Sequence, residues 1–362
     1  MVLNKLTSAL FSKYKPFNQT FVISRYLGKF PFKNSKLSRK WYYISVIILL
    51  IELGMFPLFC YFYSDYEKIN LLKYLYGMLH FMEIINNILN LYSLNNNQNI
   101  WNNYDHLHYQ YILQNNIAFN KINKSDLLFF IGIIVTLLGF IVMMCTFPHN
   151  YFLIILSIIL LYFLLCSLAI ANQFCKYIEM LNTILVITNK QLIELNININ
   201  GRSEILQLVN IHSNIIELAG RINDVYSKQN LLICMISFTR FTTSLYNLIL
   251  KAVVCPIISK EIFIVAEFTA VSVIHSVLKI IMLTTVCEAF RHNSNHFNKQ
   301  LFLIINKNIH LFTQDEVLLY CFKEEICHFI AGSMFNIGYP FLISYFGTAV
   351  TFLVILIQYI QC

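Results

Sequence analysis

The sequence predicts an all-α membrane protein with seven transmembrane helices, and three observations carry that prediction. Of 362 residues, 57% are hydrophobic and only 12% are charged, where a soluble domain carries about a quarter charged residues. Several runs with few or no charges reach the roughly 20 residues that a helix needs to cross a bilayer, and the mean hydropathy is +0.61. The Lys and Arg residues also fall almost entirely on one side of those runs.

Residues 1–41 hold nine basic side chains (Lys5, Lys13, Lys15, Arg25, Lys29, Lys33, Lys36, Arg39, Lys40) and no Asp or Glu. A basic flank before a first crossing marks the cytoplasmic side, and it suits anionic lipid head groups better than nucleic acid. The first long apolar run starts at Tyr42, too late and too long for the apolar core of a signal peptide. That first crossing runs from about Tyr42 to Tyr63, with Asp65, Glu67 and Lys68 in the loop after it. The second, about Leu71 to Leu94, includes Lys73, His80, Glu83 and several asparagines, so other helices must shield it. After a polar stretch come the third crossing, about Leu127 to Phe147, and the fourth, about Tyr151 to Ala171. Only Pro148, His149 and Asn150 separate them, which makes them an antiparallel pair.

Residues 173–230 are too long for a plain loop. Ile205, Leu208, Val209, His212, Ile216 and Ala219 recur at spacings of three and four, and Gly201 divides the segment. The pattern predicts two long helices that continue the fourth and fifth crossings into the cytosol. The fifth crossing, about Leu231 to Val254, contains Arg240. The sixth, about Ile262 to Val286, contains Glu267, His275 and Lys279. A polar segment then leads to the last crossing. The chain thus divides into a basic cytoplasmic segment (1–41), crossings one to four (42–172), a cytoplasmic helical segment (173–230), crossings five and six (231–287), a second cytoplasmic segment (288–328) and the last crossing (329–362). In this arrangement twenty Lys/Arg lie on the cytoplasmic side and three (Lys68, Lys251, Lys260) on the other. That asymmetry puts the N-terminus in the cytoplasm and the C-terminus outside. The ten cysteines show no paired spacing and read as small buried hydrophobes.

The last stretch, Pro340 to Cys362, carries no charge. On a helix Ser344, Thr351 and Gln358 fall seven apart on one face, with Thr348 and Ile355 filling the same stripe. An amide such as Gln358 costs several kcal/mol if it is left unsatisfied in hydrocarbon, so the stripe faces other helices or water. Within it, Thr351-Phe352, five apolar residues and Gln358-Tyr359 form a pattern, preceded by Ala331-Gly332-Ser333-Met334-Phe335-Asn336-Ile337.

This ending resembles the insect gustatory receptor family, whose signature is Thr-Tyr, five apolar residues, then Gln-Phe, after a Gly-x-x-Phe-x-Ile lead-in. Both departures here exchange one aromatic residue for another. The motif covers about the last thirty residues. The inverted seven-span architecture extends the resemblance over the whole chain. The resemblance implies a tastant-gated, non-selective cation channel in the plasma membrane of sensory neurons, passing Na, K and Ca. It further implies a homotetramer, or a hetero-oligomer with related receptors, whose seventh helices surround the pore. Ser344, Thr348, Thr351, Ile355, Gln358 and Tyr359 would then be pore or gate residues, with Ile355 an apolar constriction and Tyr359 packed on the neighbouring subunit. The bland alternatives stay open: Gln358 can bond a neighbouring helix, and Thr351 its own preceding carbonyl.

Charges inside a membrane mark functional sites by default. His80 and Glu83 share one face of the second crossing with Tyr76 a turn away. With Glu267 they form the candidate ligand pocket for a small-molecule tastant. An internal ion pair between Arg240 and Glu267 is the structural alternative. His292 with His296, His106 with His108, and Cys321, Cys327 and His328 lack the remaining ligands of a metal set. No metal or cofactor is expected. No phosphate-binding glycine loop or nucleophile elbow is present, which excludes the common enzyme classes. Two other readings compete. One is a secondary transporter with an intramembrane charge relay, opposed by the absence of matching halves. The other is a metabotropic seven-span receptor, opposed by the orientation.

Overall fold

The computed structural model describes residues 23–24, 26–27, 29, 32–33, 36–66, 70–97, 124–146, 151–194, 201–254, 260–307, 320 and 327–358. Seven long helices are found among them: α1 Arg39–Tyr66, α2 Asn70–Asn96, α3 Lys124–Thr146, α4 Tyr151–Glu194, α5 Gly201–Val254, α6 Lys260–Lys307 and α7 Tyr339–Gln358. Two short antiparallel pairs accompany them. β1 (Phe32–Lys33) with β2 (Lys36–Leu37) precedes α1, and β3 (Ile330–Ala331) with β4 (Phe335–Asn336) precedes α7. The turns expected at 148–150 and at Pro256 lie outside the described residues, as do His106, His108 and Cys321.

The fourth and fifth crossings do continue as single long helices, ending at Glu194 and starting at Gly201. The sequence reading stops the sixth crossing at Val286, whereas α6 runs without a break to Lys307. The reason is visible in the residues. No Pro or Gly interrupts 262–307, and Phe290, Ser294, Phe297, Leu301 and Ile305 recur at helical spacing and are buried. At 1.5 Å per residue the 54-residue α5 is about 80 Å long. That far exceeds a hydrocarbon core of about 30 Å, so much of α4, α5 and α6 must lie beyond it. The half of α5 that carries Glu204, Glu217, Arg221, Asp224 and Lys228 is the less suited to hydrocarbon.

These three helices build the frame, with α6 packed most extensively on α4 and α5. The main core lies among them, around Phe174, Ile178, Leu181, Tyr226, Leu283 and Phe290. A second core, around Leu192, Ile205, Leu208, Phe297 and Leu301, fastens their far ends. The described cysteines are free thiols, and all but Cys145 are buried.

The hairpin ahead of α7 is seated on α5. Gly332 N–H donates to the Ser227 carbonyl at 3.0 Å and to its Oγ at 2.8 Å. The Ser227 hydroxyl in turn donates to the Ile330 carbonyl at 2.9 Å, and Ile330 N–H to Asn223 Oδ1 at 3.2 Å. Gly332 adopts φ 56° at the turn, and a Cβ there would lie 2.3 Å from Leu231 Cδ2. Only glycine meets both conditions without strain. The Gly-x-x-Phe pattern of the sequence is therefore a docking turn that sets where α7 begins.

The second core contains a buried histidine. His212 stacks flat on Phe297 (4.1 Å between centroids, 8° between planes). Its Nδ1 pairs with the Tyr320 hydroxyl, and its Nε2 lies 3.3 Å from Ser294 Oγ. Burial holds its pKa down, to about 4 from an ordinary 6.5. The folded state therefore keeps the ring neutral, and acid opposes folding. The stabilisation is complete above pH 6.5 and is lost as pH falls from there towards 4, by about 3 kcal/mol in total. Thermal unfolding in detergent should thus show a midpoint falling between pH 6.5 and 4. His212→Gln should flatten that part of the profile, and an unchanged profile would contradict this account.

Candidate functional site

Two features are the candidates for function: a polar centre within the helix bundle and a polar stripe on α7. The polar centre begins on α2. His80, Glu83, Asn87 and Asn90 follow one another at spacings of three and four, so they share a face, and all are 2% exposed or less. Glu83 accepts from two sides. His80 Nδ1 lies 3.1 Å from its Oε2, and the Arg240 guanidinium of α5 pairs with its Oε1. Lys279 of α6 is fully buried within electrostatic reach of both Glu83 and Arg240. Its ammonium donates to Ser167 Oγ of α4 at 3.0 Å.

One turn before Lys279, His275 Nε2 lies 2.7 Å from Thr136 Oγ1 of α3. That hydroxyl donates to the Gly132 carbonyl at 2.8 Å, so the imidazole is the donor to it. Gly132 permits the approach, because a Cβ there would sit 2.5 Å from Leu168 Cδ2. Five helices, α2 to α6, thus converge on one set of polar side chains.

A neighbouring network joins the N-terminal segment to the bundle. Lys29 Nζ donates to Glu52 Oε1 of α1 at 2.6 Å, and Asn87 and Tyr162 donate to the same carboxylate at 2.8 and 2.7 Å. Asn90 and Gln173 hold the Lys29 carbonyl. Lys29, read from the sequence as part of a head-group flank, is instead 2% exposed inside the bundle. Glu52 is its counter-charge, and a lone carboxylate inside α1 had to recruit one. A third network sits near the start of α3, where Lys176 pairs with Asp126 and, at 3.2 Å, with Glu179.

Of the residues expected in a pocket, His80 and Glu83 come together. The Tyr76 side chain lies outside the described residues. Glu267 does not join them, and both its carboxylate oxygens are buried without a partner among the described residues. The expected Arg240–Glu267 pair is not formed. Thr269 Oγ1 donates to the Ser244 carbonyl at 3.2 Å, which sets the register of α6 on α5. In that register Arg240 and Glu267 stand roughly 9 Å apart along the helices, and Arg240 meets Glu83 instead. Lys279, Ser167, Thr136 and the Glu52 network were not assigned from sequence. Their one signal was the charge or hydroxyl inside an apolar run.

The α7 stripe lies elsewhere. Tyr345, Ala349 and Leu356 are the buried residues of this helix, at 4%, 1% and 8% exposure. Tyr345 packs edge-on against Phe238 of α5 at 5.8 Å, and Leu356 packs with Tyr246 and Leu250. Ser344, Thr348, Thr351, Ile355 and Gln358 are all exposed. The Thr351 hydroxyl donates to the Gly347 carbonyl at 3.0 Å, the local bond that a membrane threonine commonly makes. Tyr359 lies outside the described residues. The polar stripe therefore turns away from its own bundle.

Residues 18–361 match the family described as 7tm Chemosensory receptor. The chain belongs to that family. Its fold is that of the insect olfactory receptor OR5 from Machilis hrabei, with 12% identity, a TM-score of 0.64, and coverage of 94% of this chain and 97% of that one. The same receptor in complex with eugenol matches with 13% identity, a TM-score of 0.64, and coverage of 96% and 99%. Among curated proteins nothing matches the chain.

In this chemosensory receptor the polar centre is fixed by the Glu83 carboxylate, which holds α2 to α5. Breaking a buried ion pair from one side costs about 3–5 kcal/mol, because the other charge is left unpaired. Glu83→Gln should therefore lower the unfolding midpoint of the detergent-solubilised receptor by roughly 5–10 °C. Replacing both partners, Glu83→Gln with Arg240→Gln, should recover much of that loss. A single variant as stable as the parent would contradict this arrangement.

Proposed function

We propose that this receptor is a tastant-gated, non-selective cation channel of the gustatory type. Four copies would surround a pore lined by α7, in the plasma membrane of sensory neurons. The carrying observation is the exposed stripe of Ser344, Thr348, Thr351, Ile355 and Gln358, on a different face from the seat formed by Tyr345, Ala349 and Leu356. In lipid this face would leave the Gln358 amide unsatisfied, at a cost of several kcal/mol. Water in a central pore satisfies it. Arranged around an axis, the stripe gives a weakly polar lining, an apolar ring at Ile355 and a ring of amides at Gln358. It contains no carboxylate, so it offers no strong preference among Na, K and Ca. Tyr359 would pack on the adjacent subunit.

The Lys/Arg asymmetry supports an N-terminus in the cytoplasm and a C-terminus outside. The charged halves of α4, α5 and α6 would then stand in the cytosol. The related receptor OR5 has been described in complex with eugenol, and a small-molecule site among α2 to α6 is the corresponding expectation here, with His80 and Glu83 at its base. The buried Arg240, Glu83 and Lys279 give the transporter reading its support, as a charge relay. The unpartnered α7 stripe has no role in that reading.

The full chain, expressed alone in cells under voltage clamp and challenged with a panel of plant compounds and sugars, should pass current only with ligand. Gln358→Ala should change conductance or relative Ca permeability on the order of twofold or more. Ligand-evoked G-protein signalling without current would refute the channel reading.

A further inference from the structure

We infer that Glu288 of α6 caps α7 from outside the helix, and that it is the residue that positions the start of the helix bearing the polar stripe. The cap stands on its own geometry. Only its consequence for current rests on the channel reading above.

The first turn of α7 brings no cap of its own. Its first internal bond runs from Leu342 N–H to the Gly338 carbonyl at 3.2 Å, which makes Gly338 the N-cap. The N–H groups ahead of Leu342 have no carbonyl to reach within the helix. Pro340 has no N–H, so Tyr339 and Phe341 carry that need. An N-cap Ser, Thr, Asp or Asn answers it with a side-chain oxygen, and Gly338 has no side chain. Nor does its backbone call for glycine, because Gly338, unlike Gly332, does not adopt a positive φ.

Glu288 stands where that side chain would be. A Cβ built on Gly338 would lie 3.0 Å from Glu288 Oε2, and the next atom, Pro340 Cδ, is at 3.7 Å. Oε2 is buried and accepts no hydrogen bond among the described residues. The other oxygen, Oε1, accepts from Arg291 Nη2 at 2.6 Å, nearly one turn further along α6. Arg291 thus holds one oxygen while the other is left beside the start of α7. A bare carboxylate oxygen taken out of water needs positive charge nearby, and the unpaired N–H groups of a helix start supply about half an elementary charge. Glu288 therefore does by charge what an N-cap side chain does by a hydrogen bond. The missing Cβ at Gly338 is what lets it come so close. With the β3–β4 hairpin seated on Ser227 of α5, the start of α7 is held by both α5 and α6.

One cap can be exchanged for the other. The full chain is purified in detergent, and amide hydrogen exchange is followed over residues 342–346. Glu288→Ala should speed exchange there about three- to tenfold. In that background Gly338→Ser, which supplies an N-cap hydroxyl from the chain itself, should restore the parent rate. In the parent the same substitution should bring no gain, because its Cβ displaces the carboxylate. Glu288→Gln keeps the size and loses the charge, so it should show most of the increase, and it serves if Glu288→Ala does not fold. Arg291→Gln breaks the pair but keeps the carboxylate, and it should stay within about twofold of the parent.

Unchanged exchange in the Glu288 variants would overturn the inference. So would a Gly338→Ser that protects both backgrounds equally, or an Arg291→Gln that matches Glu288→Ala. Under voltage clamp with the panel of plant compounds and sugars, Glu288→Ala should change the evoked current about threefold or more at equal surface expression. Gly338→Ser should bring that current back. Altered exchange with unaltered current would reject the positioning role. No current from the parent would reject the channel reading instead, and the exchange cycle would still decide the cap.

Discussion

Hydrocarbon offers no hydrogen bonds, so each polar side chain on a crossing helix must find its partner on protein or in water. That constraint organises this receptor. The face of α2 that carries His80, Glu83, Asn87 and Asn90 could not survive against lipid, and it is turned wholly inwards. Glu83 then fixes Arg240, Glu52 fixes Lys29, and the asparagines reach the backbone of the N-terminal segment. Long helices α4, α5 and α6 provide the frame on which these bonds are made. The α7 stripe is exposed on its own bundle, and in the pore proposed above water would meet the same requirement there.

The polar centre and the seat of α7 meet on one helix, α5. Arg240 belongs to the polar centre, while Phe238 and Phe241, two residues before it and one after, pack their rings against Tyr345 of α7. The β3–β4 hairpin ties the start of α7 to Ser227 and Asn223 of the same helix. A ligand that binds differently to two positions of α5 would therefore act on both ends of the α7 seat. The bias it can exert is limited to that difference in affinity. Short physical links of this kind are what a gate needs, because packed side chains adopt discrete arrangements rather than yielding continuously.

Much of this was legible in the residues because apolar length and helical period are strong signals. The seven helices and the long α4 and α5 follow from apolar length and spacing, whereas the packed face of α7, with Tyr345, Ala349 and Leu356, did not. The sequence missed the extension of α6 because Arg291, His292, Asn293 and Asn295 made a polar segment of it, while Phe290, Phe297 and Leu301 beneath them carried the helix. It also missed which charges pair. Arg240 had two carboxylates to choose from, and only the register of α6 on α5 decides for Glu83 over Glu267. Lys29 was misplaced for the same reason: a basic residue near a membrane reads as a flank until its counter-charge is located in space.

The central claim is that the Ser344–Thr348–Thr351–Ile355–Gln358 face meets water in a shared pore while Tyr345, Ala349 and Leu356 stay packed. Cysteine accessibility tests it most directly. Single cysteines at these eight positions are exposed to a charged, thiol-reactive methanethiosulfonate while ligand-evoked current is recorded. The account predicts that reagent blocks or alters current at 344, 348, 351, 355 and 358 and leaves it unchanged at 345, 349 and 356. Modification that follows no helical face, or one confined to the packed face, would contradict it.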